Sequence, residues 1–174
     1  MQKIEYLNEI YYYNNYKFFD SSFIEVDTTL ARDLAVYLFS KRDYSNYNQD
    51  QIFDFAKETK EVGIYSLSKD VCMYGLLRFQ NEYFIRAILP ILSSALRMLN
   101  EAQLAVEICE DYMARYKCMS AALPTSLAAA YCDIKDYANA RKYANMAYSK
   151  QGGSAGYPNE LSLVYMRIKK ESGE

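Results

Sequence analysis

The chain has 174 residues, a net charge of −2 and a pI of about 5.3, and 51% of its residues are apolar. This length suits one domain with a sizeable core, and the apolar fraction excludes a disordered chain. Six glycines and three prolines are too few for the turns of an all-β sandwich. We therefore predict an all-α fold, with residues 1–174 forming a single domain.

The first twenty residues allow two interpretations. Ile4, Leu7 and Tyr11 keep a helical spacing, which favours a helix. The tyrosine-rich stretch EIYYYNNYKFF is also compatible with a hairpin around Asn14 and Asn15, because tyrosine favours strands. We favour the helix and keep the hairpin as the alternative.

Capping residues then mark a series of helices. Asp27 is a candidate N-cap for a helix that includes residues 30–41, and Asn48 is one for residues 49–62, which Gly63 ends. Ser68 precedes a helical pattern over residues 69–80, and Asn81 precedes another over residues 82–99. Pro90 lies inside the latter, so we expect that helix to be kinked or split there.

The C-terminal half continues in the same way. Asn100 precedes a helix over residues 101–116, and further helices are predicted over residues 122–133, 137–150 and 159–171. Gly152, Gly153 and Gly156 mark the one flexible connection in this half. These patterns give about seven to nine helices in all.

Composition also limits the chemistry. The chain has no histidine, which excludes histidine-activated nucleophiles and histidine-based metal sites. No glycine-rich loop accompanies the clustered carboxylates, so we interpret them as solvated helix faces: Asp50, Asp54, Glu107, Glu110 and Asp111. We predict no enzyme activity, no metal and no cofactor.

The cysteines and the hydropathy pattern bear on the compartment. Cys72, Cys109, Cys118 and Cys132 form no CxxC pair, so we expect free, mostly buried thiols in a reducing cytoplasm. No run of about eighteen apolar residues predicts a membrane span, and the first fifteen residues lack the features of a signal peptide. We therefore predict a cytoplasmic protein that makes no membrane contact.

One pattern repeats at a nearly constant interval. It consists of a leucine, a small residue, two further residues and then tyrosine or leucine, and it occurs three times, 35 and 34 residues apart. Its members are Leu92, Ser93 and Leu96, then Leu127, Ala128 and Tyr131, then Leu161, Ser162 and Tyr165. Ala140 likewise lies 35 residues after Ala105. Each unit is thus predicted to be two helices joined by a tight turn.

Small and large residues have separate roles in such a unit. Two antiparallel helices approach closely only where side chains are small, and Ala128, Ala140, Ala144 and Ala147 are predicted to form that seam. Leu127, Tyr131, Tyr137 and Tyr143 are predicted to fill the space around it. One helix pair cannot bury its apolar face alone, so stacked neighbours complete the core.

These residues resemble the tetratricopeptide repeat (TPR) family. Residues 121–154 match the family pattern at Leu127, Ala128, Tyr131, Tyr137, Ala140 and Ala147, with departures at Ala144 and Gly152. Residues 86–119 resemble a second repeat, and residues 155–171 resemble a final helix. Residues 1–85 carry only a degenerate echo, at Leu34, Ala35 and Leu38, and one helix between residues 63 and 98 is surplus or merged. The resemblance implies antiparallel helical hairpins stacked as a TPR-like solenoid.

The resemblance also implies a function, which is a non-catalytic scaffold that binds a peptide or a partner helix in a concave groove. The family's groove positions fall on Pro90, Ser94, Arg97, Met98, Thr125, Ala129, Cys132, Asp133, Asn159, Leu163, Met166 and Arg167, and all but Pro90 and Cys132 are our candidate partner-binding residues. For each, the alternative is that it faces solvent or packs against the N-terminal helices. If the groove is used, we expect Arg97 and Arg167 to bind an acidic group of the ligand. When the groove is empty, we expect Asp133 to hold one of these arginines.

A regulatory or nucleic-acid-associated module is the alternative function, since tyrosines can stack on bases. The acidic pI and the absence of a basic stripe argue against direct binding to nucleic acid. Arg167, Lys169 and Lys170 form the one local basic cluster, which we interpret as a solvated last helical turn.

Overall fold

The computed structural model describes residues 1–116, 120–150 and 159–173, and most of these are helical. Cys118 and the predicted connection at Gly152, Gly153 and Gly156 lie outside the described residues. The described elements are β1 Gln2–Tyr6, β2 Glu9–Asn14, β3 Lys17–Phe19, α1 Thr28–Phe39, α2 Gln49–Glu61, α3 Tyr65–Arg78, α4 Glu82–Met98, α5 Ala102–Arg115, α6 Ala122–Asp133, α7 Tyr137–Lys150 and α8 Asn159–Glu171. The chain divides into two compact units, Met1–Gly75 and Leu76–Glu174.

The first unit begins with a three-stranded antiparallel sheet in the order β1-β2-β3. The helix predicted for this segment is therefore wrong. Ile4 pairs with Tyr11, and Tyr13 pairs with Phe18, and all four side chains are buried on the same face of the sheet. This alternation has the period of two that a strand requires, and it outweighs the helical spacing of Ile4, Leu7 and Tyr11.

Two tight turns connect the strands. Leu7 and Asn8 both have positive φ (49° and 65°), as do Asn15 and Tyr16 (47° and 65°). Positive φ at both central residues is the pattern of the type I′ turn, which matches the twist of a hairpin. The alternative interpretation, a hairpin, is thus correct, but its turn lies one residue later than Asn14–Asn15.

Helix ends in the first unit follow the predicted caps in all but one case. The side chain of Asp27 accepts a hydrogen bond from Leu30 N, and Asn48 forms a capping box with Gln51. Gly63, at φ +85°, ends α2. The prediction at Ser68 is wrong, because α3 begins directly after the glycine turn. Ser68 is buried inside that helix and donates its hydroxyl to the carbonyl of Ala56 (2.8 Å).

Aromatic rings join the sheet to the helices in the core of the first unit. Tyr13 makes an edge contact with Phe39, whose ring contacts Phe55. The hydroxyl of Tyr13 donates to Glu58 Oε1 at 2.9 Å, and Arg42 Nη1 lies 3.6 Å from Glu58 Oε2. The buried tyrosine hydroxyl is therefore satisfied, which removes most of the cost of burying it.

The second unit contains helices α4 to α8. The side chain of Asn81 caps α4, which runs unbroken through Pro90, so this segment is not split. Each helix from α4 to α8 contacts the next one in the chain, α4 also contacts α6, and α6 also contacts α8. The bounds predicted for the last three helices, 122–133, 137–150 and 159–171, agree with the structure.

The α4–α5 and α6–α7 turns have the same backbone geometry. Asn100 and Lys135 both have positive φ (59° and 63°). The amide of Glu101 bonds to the carbonyl of Leu96 (2.8 Å), and the amide of Asp136 bonds to that of Tyr131 (3.0 Å). The amide of Asn100 also bonds to the carbonyl of Arg97 (3.1 Å), and the amide of Lys135 bonds to that of Cys132 (3.0 Å). Each turn therefore has the two bonds of a Schellman motif, and the motif is repeated 35 residues apart.

The contact between α6 and α7 is built on small residues. Ala128, Ala140, Ala144 and Ala147 are completely buried, as the seam prediction requires. Beside them, the rings of Tyr131 and Tyr143 stack at a centroid distance of 5.5 Å. Side chains without bulk let the two helices approach, and the paired rings fill the space next to them.

Glu110 corrects another sequence prediction. Glu107 and Asp111 are exposed as predicted, but Glu110 on α5 accepts hydrogen bonds from Tyr131 (2.5 Å) and Tyr143 (2.8 Å). Burial, and to a smaller extent the hydrogen bond to Glu110, raises the pKa of Tyr143 to about 12. The same two effects raise the pKa of Tyr131. Glu110 is thus a structural acceptor that joins α5 to the α6–α7 pair.

Candidate partner-binding site

Three charged side chains from alternate helices meet in the second unit. Arg97 lies near the end of α4, Asp133 is the last residue of α6, and Arg167 lies in α8. Arg97 Nε donates to Asp133 Oδ2 at 2.6 Å, and its Nη2 lies 3.4 Å from Oδ1. Arg167 Nη1 donates to Asp133 Oδ1 at 2.5 Å, and its Nε donates to Glu171 Oε1 at 2.6 Å. One carboxylate thus bridges two arginines, where the sequence predicted that it would hold one.

The network is partly shielded from solvent, with about a quarter of the Asp133 side chain exposed (24%). Burial opposes ionisation of Asp133, but the hydrogen bonds from Arg97 and Arg167 outweigh it, and its pKa lies below the ordinary value. Burial likewise opposes the charge on Arg167, and its bonds to Glu171 and Asp133 outweigh that effect and raise its pKa. Asp133 and Arg167 are therefore both charged at neutral pH.

A cleft of about 540 Å³ opens at these charges. It is lined by Arg97, Met98, Asn100, Ala102, Gln103, Asp133, Ile134 and Arg167. Four of these were not predicted, namely Asn100, Ala102, Gln103 and Ile134. They belong to the two Schellman turns and the start of α5, so the repeated turn was the sequence signal that could have identified them.

Apolar side chains are exposed on the two outer helices of the site. Met98 on α4 is 57% exposed, and Leu163 and Met166 on α8 are 62% and 67% exposed. Leu163 lies one helical turn before Arg167 and therefore on the same side of α8. Charged groups and exposed apolar side chains thus lie on the same two outer helices, α4 and α8.

The remaining predicted residues differ in accessibility. Thr125, Ala129 and Cys132 on α6 are buried, and the hydroxyl of Thr125 donates to the carbonyl of Ala121 (2.8 Å). Pro90 and Ser94 on α4 are half-buried, and Asn159 is the first residue of α8. Within α6, therefore, Asp133 is the predicted residue that offers a polar group to the cleft.

Further observations bear on the class of protein. In the part of the chain that the structure describes, no group of three or more cysteines, aspartates or glutamates is arranged to hold a metal ion. None of the described helices has the length and apolar character needed to cross a bilayer. No family model, no curated protein and no solved structure matches this chain.

Proposed function

We propose that this chain is a non-catalytic interaction module whose second unit stacks helical hairpins in the manner of TPR proteins. In this proposal α4, α6 and α8 form one surface, the first-helix face, which binds a peptide or a partner helix. The contacts of α4 with α6 and of α6 with α8 support it, as do the matching Schellman turns. Stacking of this kind gives each hairpin the neighbour that it needs to bury its apolar side.

One observation carries the proposal, and it is the carboxylate of Asp133 held between Arg97 and Arg167. It ties together residues from α4, α6 and α8, which are the helices that the first-helix face requires. A purely structural ion pair needs one arginine, whereas two arginines around one carboxylate at an open cleft leave donors for a ligand. Among the described residues, none accepts a hydrogen bond from Arg97 Nη1 or Arg167 Nη2.

The ligand that fits this surface is a peptide with a carboxylate and apolar neighbours. Guanidinium groups bind carboxylates through paired hydrogen bonds, and the partial burial of both arginines strengthens those bonds. Met98, Leu163 and Met166 offer the apolar contacts on either side. Arginine and exposed apolar side chains are typical of the residues that dominate binding energy at interfaces.

The proposal is tested by selecting peptides from a random displayed library on the immobilised protein. We expect the selected peptides to share an acidic residue flanked by apolar residues. Selection on the Arg97→Ala/Arg167→Ala variant is expected to lose the acidic residue. Arg115→Ala is the matched control, because Arg115 pairs with Asp111 on the exposed side of α5.

Two results would contradict the proposal. One is a set of selected peptides without acidic residues, or with the same sequences on both arginine variants. The other is salt-dependent binding of generic RNA in the absence of any peptide selection, which would favour the nucleic-acid-associated module.

A further inference from the structure

The first unit has an open sheet edge at β1. The sheet order is β1-β2-β3, so β1 pairs with β2 on one side, and among the described residues no strand pairs with its other side. At the opposite edge, the last residue of β3, Phe19, forms an isolated antiparallel bridge with Glu25. An open edge presents unpaired N–H and C=O groups that readily accept another strand.

The hairpin geometry shows which residues carry those open groups. A two-residue turn at Leu7 and Asn8 joins β1 to β2, so the flanking pair Tyr6 and Glu9 is hydrogen bonded. Hydrogen-bonded pairs alternate along an antiparallel ladder, and the next one contains Ile4. The backbone groups of Lys3 and Glu5 therefore point away from β2, toward the open edge.

We propose that β1 pairs in antiparallel fashion with β1 of a second copy of this chain, about a two-fold axis at Ile4. In this register Lys3 lies opposite Glu5 of the second copy, and the same pair recurs on the other side of the axis. Lys3 and Glu5 are the residues whose backbone groups face the edge, so their amides and carbonyls form the new ladder. The three strands of each copy then make one continuous sheet with self-complementary contacts.

The charges on β1 favour a second copy as the occupant. Lys3 Nζ lies 3.1 Å from Glu5 Oε1, so both charges are on the same exposed face of the strand. Edges that are protected from pairing usually carry charges that repel an added strand. Here the two-fold register places each charge opposite its counter-charge, and directly opposed unlike charges stabilise antiparallel pairs.

Exposed apolar surface beside β1 supports the same register. Tyr37 on α1 contacts Tyr6 at a centroid distance of 5.1 Å and still has 46% of its surface exposed. Neighbouring Val36 is exposed to a similar extent. The proposed register places Gln2 of the second copy opposite Tyr6, where it covers this tyrosine contact.

The test is sedimentation velocity of the full chain from micromolar to submillimolar concentration at low ionic strength. The wild type is expected to form a weak dimer. Glu5→Lys and Lys3→Glu each place like charges opposite one another, so each is expected to weaken the dimer at least about tenfold. An equimolar mixture of the two variants, and the double swap of Lys3→Glu with Glu5→Lys, are expected to restore it.

Circular dichroism of each variant shows whether the fold is intact, and the double swap carries the test if a single variant does not fold. A wild type that stays monomeric over the whole concentration range overturns the proposal. So do single variants that associate as the wild type does, or a double swap that does not associate. The pairing uses residues of the first unit alone and does not depend on the proposed peptide binding.

Discussion

At the scale of single residues, the charge balance of the second unit depends on the carboxylate of Asp133. Asp133→Asn leaves Arg97 and Arg167 close together without their shared counter-charge. We expect this change to lower the free energy of unfolding at pH 7 by about 1–3 kcal/mol, measured by urea denaturation. Asp111→Asn is the control, since its exposed pair with Arg115 should leave the unfolding midpoint unchanged.

The effect of Asp133 should also depend on pH in one direction. Because the folded-state pKa lies below the ordinary value of 3.8, the stabilisation is present above that value and is lost as pH falls through the folded-state pKa. The stability difference between the wild type and Asp133→Asn is therefore expected to shrink as the solution is acidified below pH 3.8. A difference that stays constant down to pH 2 would contradict this account.

Ala140 tests the seam between α6 and α7 at the same scale. It is completely buried, so Ala140→Leu must displace neighbouring side chains or the backbone. Such overpacking costs about 1–3 kcal/mol, which should appear as a lower melting temperature in a calorimetric scan. Ala138→Leu on the exposed side of the same helix is the matched control. An unchanged melting temperature for Ala140→Leu would show that the assigned repeat frame is wrong.

At the scale of helix ends and turns, Lys135 is the position that tests the turn between α6 and α7. It adopts φ +63° in the turn between α6 and α7, a conformation that costs a non-glycine residue about 1 kcal/mol. Lys135→Gly is therefore expected to stabilise the second unit by up to about 1 kcal/mol in urea denaturation. Lys142→Gly, in the exposed middle of α7, should have the opposite effect. Destabilisation by both changes would contradict the role assigned to this turn.

Helix elements were predictable where the sequence marks them locally. Asp27, Asn48 and Asn81 identified their helices because capping depends on a side chain and an amide three residues away. The sheet was missed because three apolar positions in the N-terminal segment fit a helical period, whereas the pairing of Ile4 with Tyr11 depends on two turns. Such turns need positive φ at residues such as Leu7, which composition does not reveal.

The candidate site was predictable in part for the same reason. Arg97, Asp133 and Arg167 are 36 and 34 residues apart, and only the repeat frame brings them together. That frame predicts which face of a helix a side chain lies on, but it does not predict the depth of the side chain below the surface. It therefore also selected Thr125 and Ala129, which are buried. Depth depends on the packing of neighbouring helices, and that information is spread over the whole unit.

At the scale of the whole molecule, buried thiols report on the cores of both units. Burial raises the pKa of Cys72 in the first unit and of Cys109 in the second to about 12. In a Cys118→Ser background, the remaining thiols are expected to react with Ellman's reagent only when the chain unfolds, because thiolates are the reactive form. The rate of the thiol reaction is expected to rise steeply with denaturant concentration. A rapid reaction in native buffer would contradict the burial of these thiols in the two cores.

The proposed function requires that Arg97 and Arg167 bind a ligand carboxylate on the first-helix face. The most direct test is a double-mutant cycle by isothermal titration calorimetry, using a selected acidic peptide and its Glu→Gln or Asp→Asn counterpart. We expect Arg97→Ala/Arg167→Ala to weaken binding of the acidic peptide at least about tenfold, with the amide peptide losing little further affinity on that variant. Independent effects of the two changes, or equal binding of the acidic peptide by wild type and variant, would show that the carboxylate binds elsewhere.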